Sequence, residues 1–443
     1  MAGMRIYIVT SPNHVASCYR NTTTISYHPV IEDMYRWIQF SDGGMKKVFV
    51  VDPSAAHNAD LPKPVAAAFM LNNYHRAQLL PGEDFEELLH NRLTPSMERT
   101  FDFDSTPNHP AVLARSKDSI SISVLELCNE LFVRCTAEAT LGKSIFRVNP
   151  NLLNAFGRWE RTNWKFMFQM PKFMSRDMIA GKDEIINTFV EYFRLPYEER
   201  SDCNYFVRAS EKLAKDVGLC ELDTAKIFLL HIWAVLGNVY KVAFWAIAYI
   251  AYDPQLLAEI RVEVLAAFKD GKVDEIYLAE HCPKLDSFIS EVLRLTVASA
   301  LAREIVAPTA IGDKVLQPGS KLLIPYRQLH MNRDVWGADP MLLEPFRFAN
   351  NTKLLNSKSY RPFGGGPTLC PGRFVAKRSI GFAVALLVGR YDISVDADRM
   401  RNGGKKTHGD LPLFPRLDTT KPSPGASLPH EGDGVVLVLR KRL

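Results

Sequence analysis

The run from Phe228 to Tyr252 is long, nearly uncharged and apolar on every side. A helix of this kind must be covered all round, either by lipid or by the rest of a large protein. His231 and Lys241 interrupt the run, and Asp253-Pro254 ends it abruptly. Those interruptions favour a buried central helix over a membrane span. With 443 residues, 47% of them apolar and 23% charged, the chain has enough material to enclose it.

Helical spacing dominates the remainder. Leu125 to Phe146 is amphipathic and ends near Gly142; Tyr277 to Thr296 and Phe374 to Val388 also carry helical periods. Strand patterns are short: Arg5 to Pro12, Ile305 to Leu323, and Val435 to Leu439. The expectation is a mainly α fold of the α+β kind, a helical core with small peripheral sheets, and one domain over residues 1–443. Neither a repeat nor a low-complexity tract occurs. No signal peptide or anchor helix is visible before the first strand pattern.

The net charge of +5 is too weak a bias to suggest nucleic acid. It fits a patch that meets an acidic partner or an anionic membrane surface. The seven cysteines form no C-x-x-C pair, zinc spacing or C-x-x-C-H attachment site, which points to a reducing compartment.

One cysteine stands apart. In Phe363-Gly-Gly-Gly-Pro-Thr-Leu-Cys370-Pro-Gly372, four glycines and two prolines surround it just before an apolar helix. Glycine lets a backbone approach a flat ligand closely and take positive φ. Pro371 suits a first helical turn, and a helix N-terminus favours a thiolate. A phosphate-binding turn is the alternative, but Leu369 stands where the dinucleotide pattern needs its third glycine. A buried structural cysteine is the default for an isolated residue of this type.

The loop resembles that of the cytochrome P-450 family, whose F-x-x-G-x-x-x-C-x-G pattern is matched by Phe363, Gly366, Cys370 and Gly372. The resemblance implies haem b (iron protoporphyrin IX), with Cys370 as the sulfur ligand to the metal; such a ligand favours O–O cleavage. Glu291-Val-Leu-Arg294 resembles the family's E-x-x-R motif, and Arg347 in Pro345-Phe-Arg-Phe348 its third member. Alone, that Glu/Arg pair would be an ordinary solvent-facing one. The resemblance implies a buried network supporting the haem face.

There are departures. Over the iron the family usually carries an acid followed by threonine, which relays protons; here Gly237-Asn238 stand in their place. This resembles the branch holding sterol hydroxylases of bile-acid synthesis and prostacyclin synthase, a mixture of monooxygenases and an isomerase. Asn238 either hydrogen-bonds oxygen or substrate, or merely kinks and hydrates the helix. Thr368 replaces a basic residue that usually meets a haem propionate. No W-x-x-x-R pair is found between Pro81 and Arg99, which leaves Arg303 as the leading propionate partner and His75 and Arg76 behind it.

The implied function is a microsomal-type monooxygenase. It would take electrons from NADPH-cytochrome P-450 reductase, consume O2, and hydroxylate a small but bulky apolar substrate such as a steroid, a terpenoid or another secondary metabolite. Lys358, Arg361, Lys377 and Arg378 flank the cysteine loop as a candidate reductase-facing patch. The expected location is the cytosolic face of the endoplasmic reticulum membrane, with the family's usual anchor absent here. The alternatives are a reductase-independent isomerase or dehydratase acting on a peroxide, and an inactive truncated haem protein.

Overall fold

The long apolar run is not one helix. In a computed structural model, which describes residues 5–409 and 411–442, it forms two helices broken at Gly237-Asn238. In chain order the elements that position the site are β1 (Ile6–Ile8), α1 (Pro12–Arg20), β2 (Ile25–Ser26), α2 (Ala67–Leu79), β3 (Val112–Arg115), β4 (Ile120–Ser123), α3 (Leu152–Met167), α4 (Arg176–Arg194), α5 (Glu221–Leu236), α6 (Val239–Tyr252), α7 (Pro283–Thr296), β5 (Ala300–Ile305), β6 (Lys321–Pro325), α8 (Arg373–Arg390), β7 (Tyr391–Val395) and β8 (Val436–Lys441).

Helix α5 starts at Glu221, earlier than the apolar run suggests, because Glu221 and Asp223 complement the positive end of its dipole. The break falls where Asn238 takes φ −129°, ψ −41°, after a glycine that contributes little helix propensity. Beyond it, α6 packs against α7, α8 and the helical residues 124–141, covered by protein on all sides. The span Glu221–Tyr252 has the length and hydropathy of a membrane helix, yet 67% of its most apolar window is buried inside the protein.

Three further expectations shift. Tyr277 to Thr296 divides into Glu275–His281 and α7, since Pro283 has no N–H and forces Cys282 out of helical geometry (φ −116°, ψ 65°). The amphipathic segment that starts at Val124 stops at Leu141, where Gly142 takes φ +77°; Ser144–Val148 is a separate helix. The opening strand is confined to Ile6–Ile8, and Pro12, read as its end, instead starts α1.

Two four-stranded sheets flank the helices, ordered β1-β6-β5-β2 and β7-β8-β4-β3. Strand β1 runs parallel to β6, and β6 antiparallel to β5 with Leu322 opposite Arg303. That register places Arg303 at the sheet that faces the cysteine loop.

Candidate active site

The loop before α8 is shaped by close approach. Gly366 sits at φ +62°, and a Cβ there would meet Tyr19 Cδ1 at 3.0 Å and the Tyr19 carbonyl oxygen at 3.2 Å. Helix α1 therefore presses directly on the loop. The Cys370 N–H donates to the Phe363 carbonyl at 3.0 Å, closing it, and Phe363 packs on the core. Gly372 is the residue that caps α8, so Cys370 and Pro371 lie just before the helix rather than in its first turn. A Cβ on Gly372 would sit 3.8 Å from Cys370 Sγ and 3.9 Å from Leu79 Cδ1. Cys370 and the C-terminal end of α2 thus both border Gly372.

Cys370 is solvent-accessible, yet desolvation raises its thiol above the ordinary value, outweighing the Gly372 backbone N–H and the Arg373 charge, which lower it. Both hold together for a group on the wall of an interior space. Burial therefore overrides the helix-end effect expected from sequence; a metal ion would reverse this by deprotonating the sulfur outright.

Other walls of the interior can be followed. On α2, Phe69, Asn72 and Arg76 are exposed and share a face with Leu79. Arg76 has no ion-pair or side-chain hydrogen-bond partner among the described residues. This helix lies before the Pro81–Arg99 window in which a W-x-x-x-R pair was sought, and Asn72 stands four residues ahead of Arg76. His75 is committed elsewhere: its Nε2 meets His231 Nδ1 on α5, and burial lowers both imidazoles, His75 to about 4. It is withdrawn as an anion partner. Arg303 is 9% exposed, bonds Thr368 Oγ1 and the Ala302 carbonyl, and lies 5.6 Å over the Tyr27 ring. It lines a cavity of ≈ 340 Å³ together with Tyr27, His28, Pro367 and Thr368. On α5, Ala234 is exposed although Trp233 and Leu236 beside it are buried, so that face also borders open space. A thiol bordering an interior space, a buried guanidinium, and glycines where a Cβ would intrude fit an iron porphyrin.

Glu291 and Arg294 are wholly buried and paired through two bonds, Nε to Oε2 at 2.8 Å and Nη2 to Oε1 at 2.7 Å. Arg347 Nε reaches Glu291 Oε1 at 3.2 Å. Arg294 also donates to the carbonyls of His330 and Pro340 at 2.9 and 2.6 Å. The cluster braces α7 against the segment that leads to the cysteine loop.

At the helix break, Asn238 Oδ1 accepts from the Ala426 N–H at 3.2 Å, tying α5 and α6 to the loop before β8. Gly237 lies against Glu160 of α3: a Cβ at 237 would be 3.2 Å from Glu160 Oε2 and 2.7 Å from the Trp233 carbonyl oxygen. Glu160 forms a buried ion pair with Lys241 of α6. Sequence reading missed this pair, taking Lys241 only as an interruption. Of the basic residues around the loop, Lys377 pairs with Asp286 at 2.6 Å, Arg378 with Glu86 at 3.5 Å, and Lys358 donates to Asn13 at 2.8 Å.

The family model for cytochrome P-450 matches residues 145–412, well over half the chain. A cytochrome P-450 monooxygenase of Penicillium oxalicum is 26% identical over 89% of this chain and 79% of its own length. Another from Hypoxylon pulicicidum is 24% identical over 64% of this chain and 63% of its own. The human 24-hydroxycholesterol 7-alpha-hydroxylase is 24% identical over 61% and 60%. The chain thus spans less than two thirds of the latter two relatives. The glycine-shaped loop, the position of Cys370 and these matches agree, and the chain belongs to the cytochrome P-450 family.

Proposed function

We propose that residues 1–443 act as one haem-thiolate monooxygenase unit that hydroxylates a bulky apolar substrate, with haem b held by Cys370. The observation that carries this is Cys370 itself, accessible from within, on a loop kept open by glycine. When bound, the haem supplies oxygen activation, and a thiolate ligand favours O–O cleavage.

The chain's own residues divide the remaining work. Arg303 and Arg76 meet the propionates, Arg303 from a buried position and Arg76 from the open face of α2. Glu291, Arg294 and Arg347 keep the loop's support rigid. Ala234 and Val235 present an apolar wall to the substrate, and Asn238 holds the break open while bonded to Ala426. The relatives named for fungal monooxygenases and for sterol hydroxylation support a steroid, terpenoid or other secondary metabolite as substrate. NADPH-cytochrome P-450 reductase supplies electrons, docking near Lys358, Arg361, Lys377 and Arg378. Phe168, Phe173 and Met174, exposed between α3 and α4 beside Lys172, support a place on the cytosolic surface of the endoplasmic reticulum membrane.

The test is the absorption spectrum of the purified protein, reduced and exposed to carbon monoxide. A strongly red-shifted Soret band, absent from Cys370→Ala, is expected; a histidine-type band or none refutes the ligand. Substrate turnover should require NADPH, reductase and O2. Conversion of a substrate hydroperoxide without NADPH would instead establish an isomerase, and oxygen turnover with every candidate substrate left unchanged would establish a non-enzymatic haem protein.

A further inference from the structure

The buried charges at the helix break have no structural necessity. The Glu160 and Lys241 side chains are 2% and 4% exposed, and a well-packed apolar pair in such a position is commonly as stable or more so. What distinguishes the pair is what lies on either side of it. On one side is a recess of ≈ 60 Å³ between α3, α6 and the loop before β8, lined by Glu160, Asn163, Lys241, Asp418, Lys421 and Ser423. It is large enough for water, polar side chains interrupt its apolar walls, and two surface charges, Asp418 and Lys421, stand among them. On the other side is the break. Glu160 Oε2, which also accepts from Asn163 Nδ2 at 3.0 Å, lies against Gly237. None of the described backbone N–H groups donates to the carbonyls of Ala234, Val235 or Leu236. Those free acceptors end α5 at the break, next to Ala234, which is exposed, and Val235 and Asn238, which are half-buried. Neither Gly237 nor Asn238 can itself carry a proton, whereas burial raises the Glu160 carboxyl despite Lys241, Trp233 and Asn163 beside it, so it can hold one.

We propose that Glu160 and Lys241 carry protons from the solvent recess to the break at Gly237-Asn238, and so to the reaction cavity. This rests on the monooxygenase reading. In that reaction, substrate, O2, two electrons from NADPH through the reductase and two protons from solvent give an alcohol and water. A C–H and the O–O bond break; a C–O bond and O–H bonds form. Each proton passes from recess water through the Lys241 ammonium to Glu160 Oε1. The protonated carboxyl then turns about its Cγ–Cδ bond and gives that proton to water bonded at the free carbonyls, while recess water reprotonates the Lys241 amine. Glu160 touches neither substrate nor cofactor and is a positioning residue for the proton.

The test uses the haem-loaded protein with reductase and NADPH. In Glu160→Gln, the carbon-monoxide spectrum should match the parent, while the unfolding temperature falls because Lys241 is left buried without its anion. Water formation should slow roughly tenfold or more, the share of electrons lost as hydrogen peroxide should rise, and the solvent deuterium isotope effect should change. Glu160→Asp should recover most of the rate. A second readout needs no turnover: the parent's infrared spectrum should show a buried carboxylic-acid band in mildly acidic buffer that Glu160→Gln lacks. The variant E160Q/K241Q guards against misfolding around an unpaired charge, and it should leak peroxide as E160Q does. Parent-like peroxide yield and isotope effect in both variants would overturn the proposal, as would absence of the infrared band. Loss of the thiolate-type carbon-monoxide spectrum in the parent is a separate result; it overturns the monooxygenase reading and this proposal with it.

Discussion

Replacing Arg294 by methionine should test the Glu291–Arg294–Arg347 cluster most sharply. The guanidinium makes two bonds to Glu291, two shorter than 3 Å to the carbonyls of His330 and Pro340, and lies 5.0 Å over the Trp336 ring. Methionine fills most of the volume and removes these four bonds and a fifth, longer one to the Leu342 carbonyl at 3.4 Å. Breaking a buried pair from one side costs about 3–5 kcal/mol, and each orphaned carbonyl about 1–3 kcal/mol. These do not simply add, because they share one neighbourhood, and Arg347 with the Glu344 N–H still holds Glu291 Oε1, each at 3.2 Å. The expected loss is about 4 kcal/mol, a large part of a typical total of about 5–15 kcal/mol. Urea unfolding of the haem-loaded protein measures it, with the slope against denaturant checked for constancy. The double variant Glu291→Leu/Arg294→Met should recover much of the loss, because Arg347 keeps its ion pair with Glu344 at 2.8 Å and no charge is left without a partner. A loss under about 1 kcal/mol in the single variant, or a double variant no better than the single, would refute the reasoning.

Three shorter predictions follow from other contacts. Gly366→Ala forces positive φ and a collision with Tyr19; it should cost about 1–2 kcal/mol and lower haem content, and full haem occupancy at parental stability would contradict it. His330 is fully buried, and burial, then Arg294, lowers its imidazole from 6.5 to about 3. Below pH 6.5 the unfolded chain takes up a proton that the folded one refuses, so this contribution is complete above 6.5 and falls as pH drops toward 3, by roughly 1.4 kcal/mol per unit. Urea melts of His330→Asn should show a shallower pH dependence than the parent across that window; parallel curves would sink the assignment. Arg303→Gln and Arg76→Gln should each speed haem dissociation to apomyoglobin, with the larger effect for buried Arg303; unchanged rates in both would remove them as propionate partners.

The cysteine loop was legible because its requirements are local: glycines where the backbone bends to positive φ, and a helix start directly after. The Glu291–Arg294 pair was visible as a spacing, but only its position relative to the loop distinguished it from an exposed pair. Periodicity located the central helix and missed its break, since Gly237 and Asn238 are each tolerated in helices. What breaks the helix comes from elsewhere in the chain: Glu160 fills the space at Gly237, and the Ala426 N–H claims Asn238. Arg76 went unweighed against the family's motif because the search began at Pro81, after α2 had already ended at Leu79.

Lys241 carried more information than its use as an interruption. An ammonium in an apolar run with no lipid around it needs an anion, and the anion must come from another buried face. One such face was readable. Phe156, Trp159, Asn163 and Phe166 recur at helical spacing as the buried stripe of α3, and Glu160 falls inside that stripe rather than on the polar side. A carboxylate on an apolar stripe and an ammonium in an apolar run make the same demand with opposite sign. Pairing them places α3 across the central helix near Gly237, one turn before Lys241. It also explains why that position is glycine: the space its side chain would occupy is taken by the carboxylate that answers Lys241.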